Sequence, residues 1–355
     1  MDREPLDQTS QSQPRVSVVM SCYNNESCVS RAVDSILNQT FSRWELIVVN
    51  DGSTDATGEI LDAYADRDSR IRVIHQANTG LTKALIAGCS VAKTDVIARQ
   101  DADDVSRPRR LESQIALLDQ DASLGFVSCF AEYVGPQGEF LSQTSRPTDP
   151  DEATKQLLHD RIGPPAHGTV MFRKPIYEKV GEYRHQFYCG QDADLWLRLA
   201  EVSKIGYVPE VLYQVQIDSV GITGSGRQVQ QRFGVFGREC HQARISGEDE
   251  TPILAKAAKL SADLRQERDE RRHSEPTRSQ QRSRVLNQSN TNYMIGSQLI
   301  KNRDARGRAY LWQVIRHRPH HWRAWARLAQ SSLFVFSGAN AERDACARGG
   351  QGQDA

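Results

Sequence analysis

The stretch Val96-Ile97-Ala98-Arg99-Gln100-Asp101-Ala102-Asp103-Asp104 runs from a short apolar segment into three carboxylates within four residues. The apolar start reads as a buried strand. Like charge crowded at a strand end is unfavourable unless a cation or hydrogen-bond donors offset it. Clustered carboxylate oxygens are what a hard divalent cation selects. The same residues also fit a solvated acidic turn, with Asp104 or Ser106 capping the next helix. The flanking sequence decides between the two.

Upstream, Val16–Met20, Trp44–Val49 and Ile71–His75 read as three more strands. Helices lie between them. Val29, Ala32, Val33, Ile36 and Leu37 recur at i, i+3, i+4, i+7 and i+8, which is one apolar helical face. Ile60, Leu61 and Tyr64 mark a second helix, and Leu81, Ala84 and Leu85 a third. Strands that alternate with helices imply parallel βαβ units. In such sheets ligands sit beyond the carboxyl ends of the strands. The polar turn Ser21–Glu26, the turn Asn50-Asp51-Gly52-Ser53-Thr54-Asp55 and the acids Asp101–Asp104 all fall at such ends. They are therefore expected to line one cleft.

Composition narrows the function classes. Lys+Arg and Asp+Glu are equal at 45 each in 355 residues, which predicts no nucleic-acid partner. Hydrophobic residues make up 38% and the mean hydropathy is -0.58. No segment reaches the ~18 apolar residues of a spanning helix, and the first 14 residues have no apolar signal region. Seven scattered cysteines form no CxxC pair, which argues for reduced thiols in a cytoplasmic protein and against a zinc site or disulfide framework.

Downstream, Leu111, Ile115 and Leu118 mark a helix, and Phe126–Tyr133 a strand. Pro164–Gly168 is a loop feeding a strand at Thr169–Phe172, and Gln191-Asp192-Ala193-Asp194 enters a helix. Ile205–Val208 and Val211–Val215 read as two closing strands. Residues 265–284 contain no aliphatic residue, Phe, Tyr or Trp, and read as a solvated helix or disordered linker. Aromatic and aliphatic residues return over 291–331, where Trp312, Ile315, Trp322, Trp325 and Leu328 suggest a helical hairpin about Pro319.

Five motifs in this order resemble the family 2 glycosyltransferases of GT-A fold. They are Val16–Met20 with Tyr23-Asn24, Asn50-Asp51-Gly52-Ser53-Thr54-Asp55, Asn78-x-Gly80, Asp101-Ala102-Asp103-Asp104 and Gln191-Asp192-x-Asp194-Leu195-Trp196-Leu197-Arg198. The resemblance covers roughly residues 14–220. It implies a Rossmann-like, mainly parallel α/β sheet flanked by helices, with a helical C-terminal extension. The expected organisation is a polar leader at 1–14, a catalytic domain at 15–220, a polar helical or disordered linker at 221–290, a helical region at 291–337 and a frayed tail at 338–355.

The resemblance also implies an enzyme that moves a sugar from a nucleotide-sugar donor, most often a UDP-sugar, to a glycan or lipid-linked acceptor with inversion. Tyr23, Asn24, Asp51, Asn78 and Gly80 take the nucleotide-side positions, joined by Arg99 and Asp101. Asp101 and Asp103 take the metal-binding positions, with Asp103 the preferred ligand, Asp104 an adjacent candidate and Mn²⁺ or Mg²⁺ the expected ion. Asp192 takes the position of the catalytic base, and His167 and Gln191 lie on the acceptor side. Surface polysaccharide or glycolipid assembly is the expected setting.

The chemistry of these residue types agrees. A departing diphosphate develops negative charge that a divalent ion offsets. A carboxylate on the opposite side can take the proton of the attacking hydroxyl, typically worth ~10²–10⁴-fold. Structural roles compete: Asp192 could cap its helix, Asp194 fits an i, i+4 pair with Arg198, and Arg99 could orient the acids or meet phosphate. Two departures from the family pattern stand out. Gln191 sits where many relatives carry an acid, and Gln216-Ile217-Asp218-Ser219 lacks the histidine that many show after the last strand.

A sugar nucleotidyltransferase would need a Gly-rich basic loop after the first strand, where Ser21–Glu26 has neither Gly nor Lys. A dehydrogenase would need GxGxxG there. A catalytically silent binding or scaffold protein is the remaining alternative, opposed by the intact Asp101, Asp103 and Asp192. The basic, aromatic segment Arg306–Arg327 fits either peripheral membrane contact or a soluble helical pair, with the pair preferred.

Overall fold

A computed structural model of the chain describes residues 13–217, 227–272 and 277–332. Most of the polar leader, Asp218-Ser219 and the tail from 338 lie outside the described residues. The chain divides into two compact units. The first comprises residues up to Glu132, Gln143–Gln216 and Gln228–Ser274; the second comprises Tyr133–Ser142, Ile217–Arg227 and the chain from Glu275.

The first unit begins with β1 (Val16–Cys22), α1 (Val29–Leu37), β2 (Trp44–Asp51), α2 (Thr57–Ala65), β3 (Ile71–Gln76), α3 (Leu81–Ser90) and β4 (Val96–Asp101). β1 pairs in parallel with both β2 and β4, and β2 with β3. Side chains alternate across the sheet as strand geometry requires. Val18 and Met20 enter the core with Ala32, Val33 and Ile36 of α1, while Val19, Ile47 and Ile97 meet Leu85 of α3 on the other face. The register sets Ser21 opposite Asp101, and Cys22 opposite Asn50. The three polar turns therefore leave the sheet at one edge.

The rest of the sheet comes from β5 (Val105–Ser106), β6 (Leu124–Val134), β7 (Phe140–Gln143), β8 (Met171–Arg173) and β9 (Lys204–Gln216), with α4 (Arg110–Gln120), α5 (Pro150–Lys155), α6 (Lys174–Lys179) and α7 (Gln191–Ala200) between them. The strand order is β3-β2-β1-β4-β8-β6-β9-β5, with β7 beside β6. β8 runs antiparallel to β4 and to β6, and β5 antiparallel to β9. The parallel half is the one the sequence predicts; the mixed half brings loops from far along the chain to β4. β9 is one strand of 13 residues where the sequence suggests two. Pro209 sits exposed in mid-strand, which breaks the apolar run without breaking the strand.

The described part of residues 221–290 is mainly helical. Arg227–Ser246 and Thr251–Arg272 are long helices that fold with the first unit. Phe233 and Ala257 are buried against Phe187 with Leu254, Leu260 and Leu264 beside them. Few apolar residues suffice because each contact lies on one helical stripe.

The second unit contains helices Arg278–Lys301 and Gly307–His317, then a helix over 322–332. Ile300, Leu311, Val314, Ile315 and Ala324 form its core. Tyr310 Oη donates to buried Glu139 at 2.7 Å, and Asn302 Nδ2 to the Leu141 carbonyl at 2.8 Å. The break at Pro319 follows from its missing N–H and fixed φ.

Candidate active site

The turns after β1 and β2 are laced together. The Asn24 N–H donates to Ser53 Oγ at 3.0 Å, and the Thr54 N–H to Asn24 Oδ1 at 2.8 Å. The Asn25 N–H reaches Thr57 Oγ1 at 2.8 Å, and the Ala56 N–H reaches Glu26 Oε2 at 2.9 Å. Asn24 has φ 54°, a left-handed conformation that Asn tolerates better than most residues. Tyr23 is 40% exposed beside this lacing.

Asp51 ends β2 and is 2% exposed. Its Oδ1 accepts from the Thr79 N–H and from Gln76 Nε2, both at 2.8 Å, and its Oδ2 accepts from the Gly80 N–H at 2.8 Å. The carboxylate thus fixes the Asn78–Gly80 loop. Gly52, at φ +73°, allows the close approach: a Cβ there would lie 2.6 Å from the Asn78 amide nitrogen. Asn78 is held from its other side by Arg268, whose Nη1 donates to Asn78 Oδ1 at 2.7 Å.

The acid loop answers the charge problem posed by its sequence. Arg99 is 1% exposed and its Nη2 donates to Asp101 Oδ1 at 2.8 Å. Its Nη1 donates to the Val19 carbonyl at 2.8 Å. Arg99 therefore orients Asp101; its buried guanidinium does not reach out to solvent. Asp101 Oδ2 accepts from the Gly168 N–H at 3.0 Å, and the Asp101 N–H donates to Tyr213 Oη at 3.1 Å. A second buried guanidinium, Arg110, donates to Gln100 Oε1, Ser106 Oγ and the Arg99 carbonyl at 2.7–3.1 Å. Its cationic group lies over the Tyr213 ring at 5.0 Å.

The three acids then separate by environment. Asp104 is 4% exposed and accepts from the Gln216 N–H at 2.8 Å. Burial, and then the charges of Asp101 and Asp103, push its carboxyl well above the usual range. Asp104, the adjacent candidate of the sequence, is thus buried and held by the Gln216 backbone. Asp101 and Asp103 are partly exposed. Among the described residues no group of three or more His, Cys, Asp or Glu converges on a metal-sized site. Two carboxylates suit an ion that takes its other oxygens from a diphosphate and water, as Mg²⁺ or Mn²⁺ does. The donor set fits such an ion and not zinc.

His167–Thr169 is a short 3-10 turn next to β4. His167 Nε2 shares a 2.7 Å hydrogen bond with Tyr183 Oη, and its ring lies edge-on to Trp196 of α7 at 5.7 Å. Burial and the Arg99 charge push the imidazole down to about 4, against an opposing pull from Asp192 and Asp101. His167 is thus neutral near pH 7. It bridges the two acidic elements: its ring touches α7, and the next residue's N–H holds Asp101.

Asp192 lies in the first turn of α7, where the helix dipole favours a carboxylate. Among the described residues no hydrogen-bond donor engages its side chain, and it is partly exposed. Asp194 differs completely. It is fully buried, with Oδ2 accepting from Arg198 Nη2 at 2.7 Å and Oδ1 from Arg184 Nη1 at 3.3 Å. Arg184 continues to Glu250, Glu250 to Arg244, and Arg244 to Glu201, so the helix Arg227–Ser246 braces α7. Gln191 is 3% exposed and its Oε1 has no hydrogen-bond partner among the described residues. Trp196 stacks on Phe126 at 5.9 Å and belongs to the core.

Sequence reasoning missed Gln76, Thr79, Gly168, Tyr213, Arg110 and Arg268. The first two lie near a motif and could be suspected from their spacing. Arg268 is 190 residues from Asn78 and sits in a stretch without apolar signal.

Comparison with known proteins gives this geometry a family. Residues 17–181 match the family model described as Glycosyl transferase family 2. The chain is 37% identical over 215 residues to "Putative glycosyltransferase EpsE" of Bacillus subtilis (strain 168), covering 58% of this chain and 74% of that protein. It is 33% identical over 189 residues to the O-antigen biosynthesis glycosyltransferase WbnJ of Escherichia coli, covering 52% and 71%. The crystal structure of S. aureus TarS 1-349 aligns over 89% of this chain and 88% of that one, at a TM-score of 0.52 and 15% identity. Its complex with UDP-GlcNAc aligns at 0.51 and 16%, over 89% of each chain. The fold is thus the GT-A fold, and the chain belongs to glycosyl transferase family 2 and is a glycosyltransferase.

Proposed function

We propose that the enzyme moves a sugar from a UDP-sugar to an acceptor hydroxyl by direct displacement with inversion, in the synthesis of a surface polysaccharide or glycolipid. The observation that carries this reading is the bridge at His167-Gly168, which ties Asp101 at the end of β4 to α7, where no donor among the described residues engages Asp192. Two carboxylates with different surroundings suit two different tasks.

In this reading Tyr23, Asn24 and the Asn78–Gly80 loop hold the nucleotide, with Asp51 supporting the loop from behind. Asp101 and Asp103 would hold Mn²⁺ or Mg²⁺, which offsets charge on the leaving diphosphate when bound. Arg99 keeps Asp101 aimed. The acceptor oxygen attacks the anomeric carbon as the bond to the diphosphate oxygen breaks, and the hydroxyl proton passes to the Asp192 carboxylate. Gln191, the neighbour of Asp192, is assigned to the acceptor side. His167, neutral, supplies a wall and no charge. The complex of TarS with UDP-GlcNAc supports the UDP-sugar, and the name of WbnJ supports the polysaccharide setting.

The test is release of nucleoside diphosphate from a panel of nucleotide-sugars, with and without Mn²⁺ or Mg²⁺, in the presence of glycan and lipid-linked acceptors. Metal-dependent release from a UDP-sugar with a product of inverted anomeric configuration is expected. Release only from non-uridine donors, or a product of retained configuration, overturns the corresponding part of the reading.

A further inference from the structure

The charge of this chain balances overall, yet residues 277–332 carry eleven Arg and Lys against one acid, Asp304. That acid is already paired with Arg306 at 2.5 Å. The same helices leave three indoles at the surface: Trp322 is 70% exposed, Trp312 48% and Trp325 45%. They group together. Trp312 and Trp325 meet edge to face at 5.7 Å, Trp322 lies one turn before Trp325, and the Arg323 guanidinium stands 5.4 Å from the Trp322 ring. Arg316 follows Trp312 by one turn and is exposed.

The core of this unit does not need these rings, because Leu311, Val314, Ile315 and Ala324 fill it from the opposite stripe. A large apolar patch left in water marks an interaction surface. The positive field demands an anionic partner. The form of the patch narrows the choice. An indole 70% exposed is not walled by a pocket, so a small ligand would gain little there. A binding site for neutral sugars would pair its rings with carboxylates, and none remains free in residues 277–332. Indoles rich in neighbouring arginine, without acids, are what the headgroup layer of a bilayer accepts. Clustered basic residues are drawn to anionic lipid.

We infer that the Trp312, Trp322, Trp325 face, with Arg316 and Arg323, docks the protein on an anionic membrane surface. No described helix is long and apolar enough to cross a membrane, so the attachment is peripheral through this face. The inference does not depend on the sugar-transfer chemistry, and its test reads binding alone.

The experiment floats the full-length chain with vesicles of phosphatidylcholine alone and with phosphatidylglycerol added, while tryptophan emission is recorded. Flotation on the anionic vesicles only, a shift of emission to shorter wavelength and loss of binding at high salt are expected. The charge-reversed double variant Arg316→Glu, Arg323→Glu should bind at least about tenfold more weakly, and Trp322→Ala should lose part of the emission shift. Melting curves like the parent's would show that both variants fold, as expected for exposed positions. Equal flotation on neutral vesicles, no flotation, or unchanged binding of the charge-reversed variant overturns the inference. So does a preference for RNA or an anionic polysaccharide in competition with the vesicles.

Discussion

The Gly168 amide donates to Asp101 Oδ2 at 3.0 Å, so a residue 67 positions away aims one of the candidate metal-binding carboxylates. A Cβ at Gly168 would lie 1.9 Å from Tyr213 Oη and 2.9 Å from Asp101 Oδ2. Tyr213 is fully buried and cannot retreat, and its hydroxyl accepts the Asp101 N–H. Gly168→Ala should therefore cost about 1–3 kcal/mol of stability by overpacking. It should also lower turnover at least tenfold by displacing Asp101. Urea denaturation and steady-state kinetics check the two effects separately.

Asp192 and Asp194 share the first turns of one helix but have opposite surroundings. Asp194→Ala leaves buried Arg198 without its carboxylate, and should destabilise by about 3–5 kcal/mol. Asp192→Asn removes a proton acceptor that no donor among the described residues engages. It should leave the unfolding midpoint and donor affinity near the parent values and reduce turnover by ~10²-fold or more. Equal stability losses in the two variants would contradict the division of roles.

Asp103→Asn removes charge from the acid loop without touching the Arg99–Asp101 pair. The increase in melting temperature produced by a UDP-sugar with Mn²⁺ should largely vanish, while the melting temperature without ligand stays near the parent value. At ligand concentrations near 100 Kd that increase corresponds to about 2.7 kcal/mol, enough to read in a thermal-shift assay. An unchanged ligand response would move metal binding away from Asp103.

Arg268 reaches Asn78 with two nitrogens, at 2.7 and 3.4 Å. Arg268→Ala should loosen the Asn78–Gly80 loop, raising KM for the donor several-fold with kcat little changed. Loss of a charged hydrogen bond of roughly 1.5–3 kcal/mol sets the scale. A drop in kcat at constant KM would show that Arg268 acts on the chemistry instead.

His167 gives the pH prediction. Its folded value is lowered to about 4, against about 6.5 in the unfolded chain. The unfolded state therefore binds more protons between these values, and stability falls as pH falls. The contribution is complete above pH 6.5 and lost on the way down to about pH 4. The slope is on the order of 1 kcal/mol per pH unit at most for one group. Urea midpoints of the parent should decline from pH 7 to pH 5, and those of His167→Gln should decline less.

The parallel half of the fold was legible in the sequence because it rests on local signals. Short apolar runs marked β1 to β4, period-3.6 patterns marked their helices, and Asp, Asn and Gly marked the turns. Strand ends in parallel sheets converge by topology, so Tyr23, Asp51 and Asp101 could be assigned to one edge before any coordinate existed. Asp192 was singled out through the resemblance of the Gln191–Arg198 motif to its family. The antiparallel half was less readable: β5 has two residues and β9 carries Pro209, so neither shows a clean alternation.

Only the tertiary structure decided the surroundings of each acid. Asp101, Asp103 and Asp104 are equivalent in sequence, but a carboxylate's charge depends on burial and on which donors reach it. Arg99 and the Gly168 amide hold one, burial and its acidic neighbours raise the carboxyl of another against the pull of the Gln216 amide, and the third keeps partial exposure. Asp192 and Asp194 divide in the same way through Arg184 and Arg198. These partners come from up to 112 residues away, and Arg268 from 190. Hydrophobic period is written within one helix or strand, whereas the environment of a charge is written by whatever the fold brings beside it.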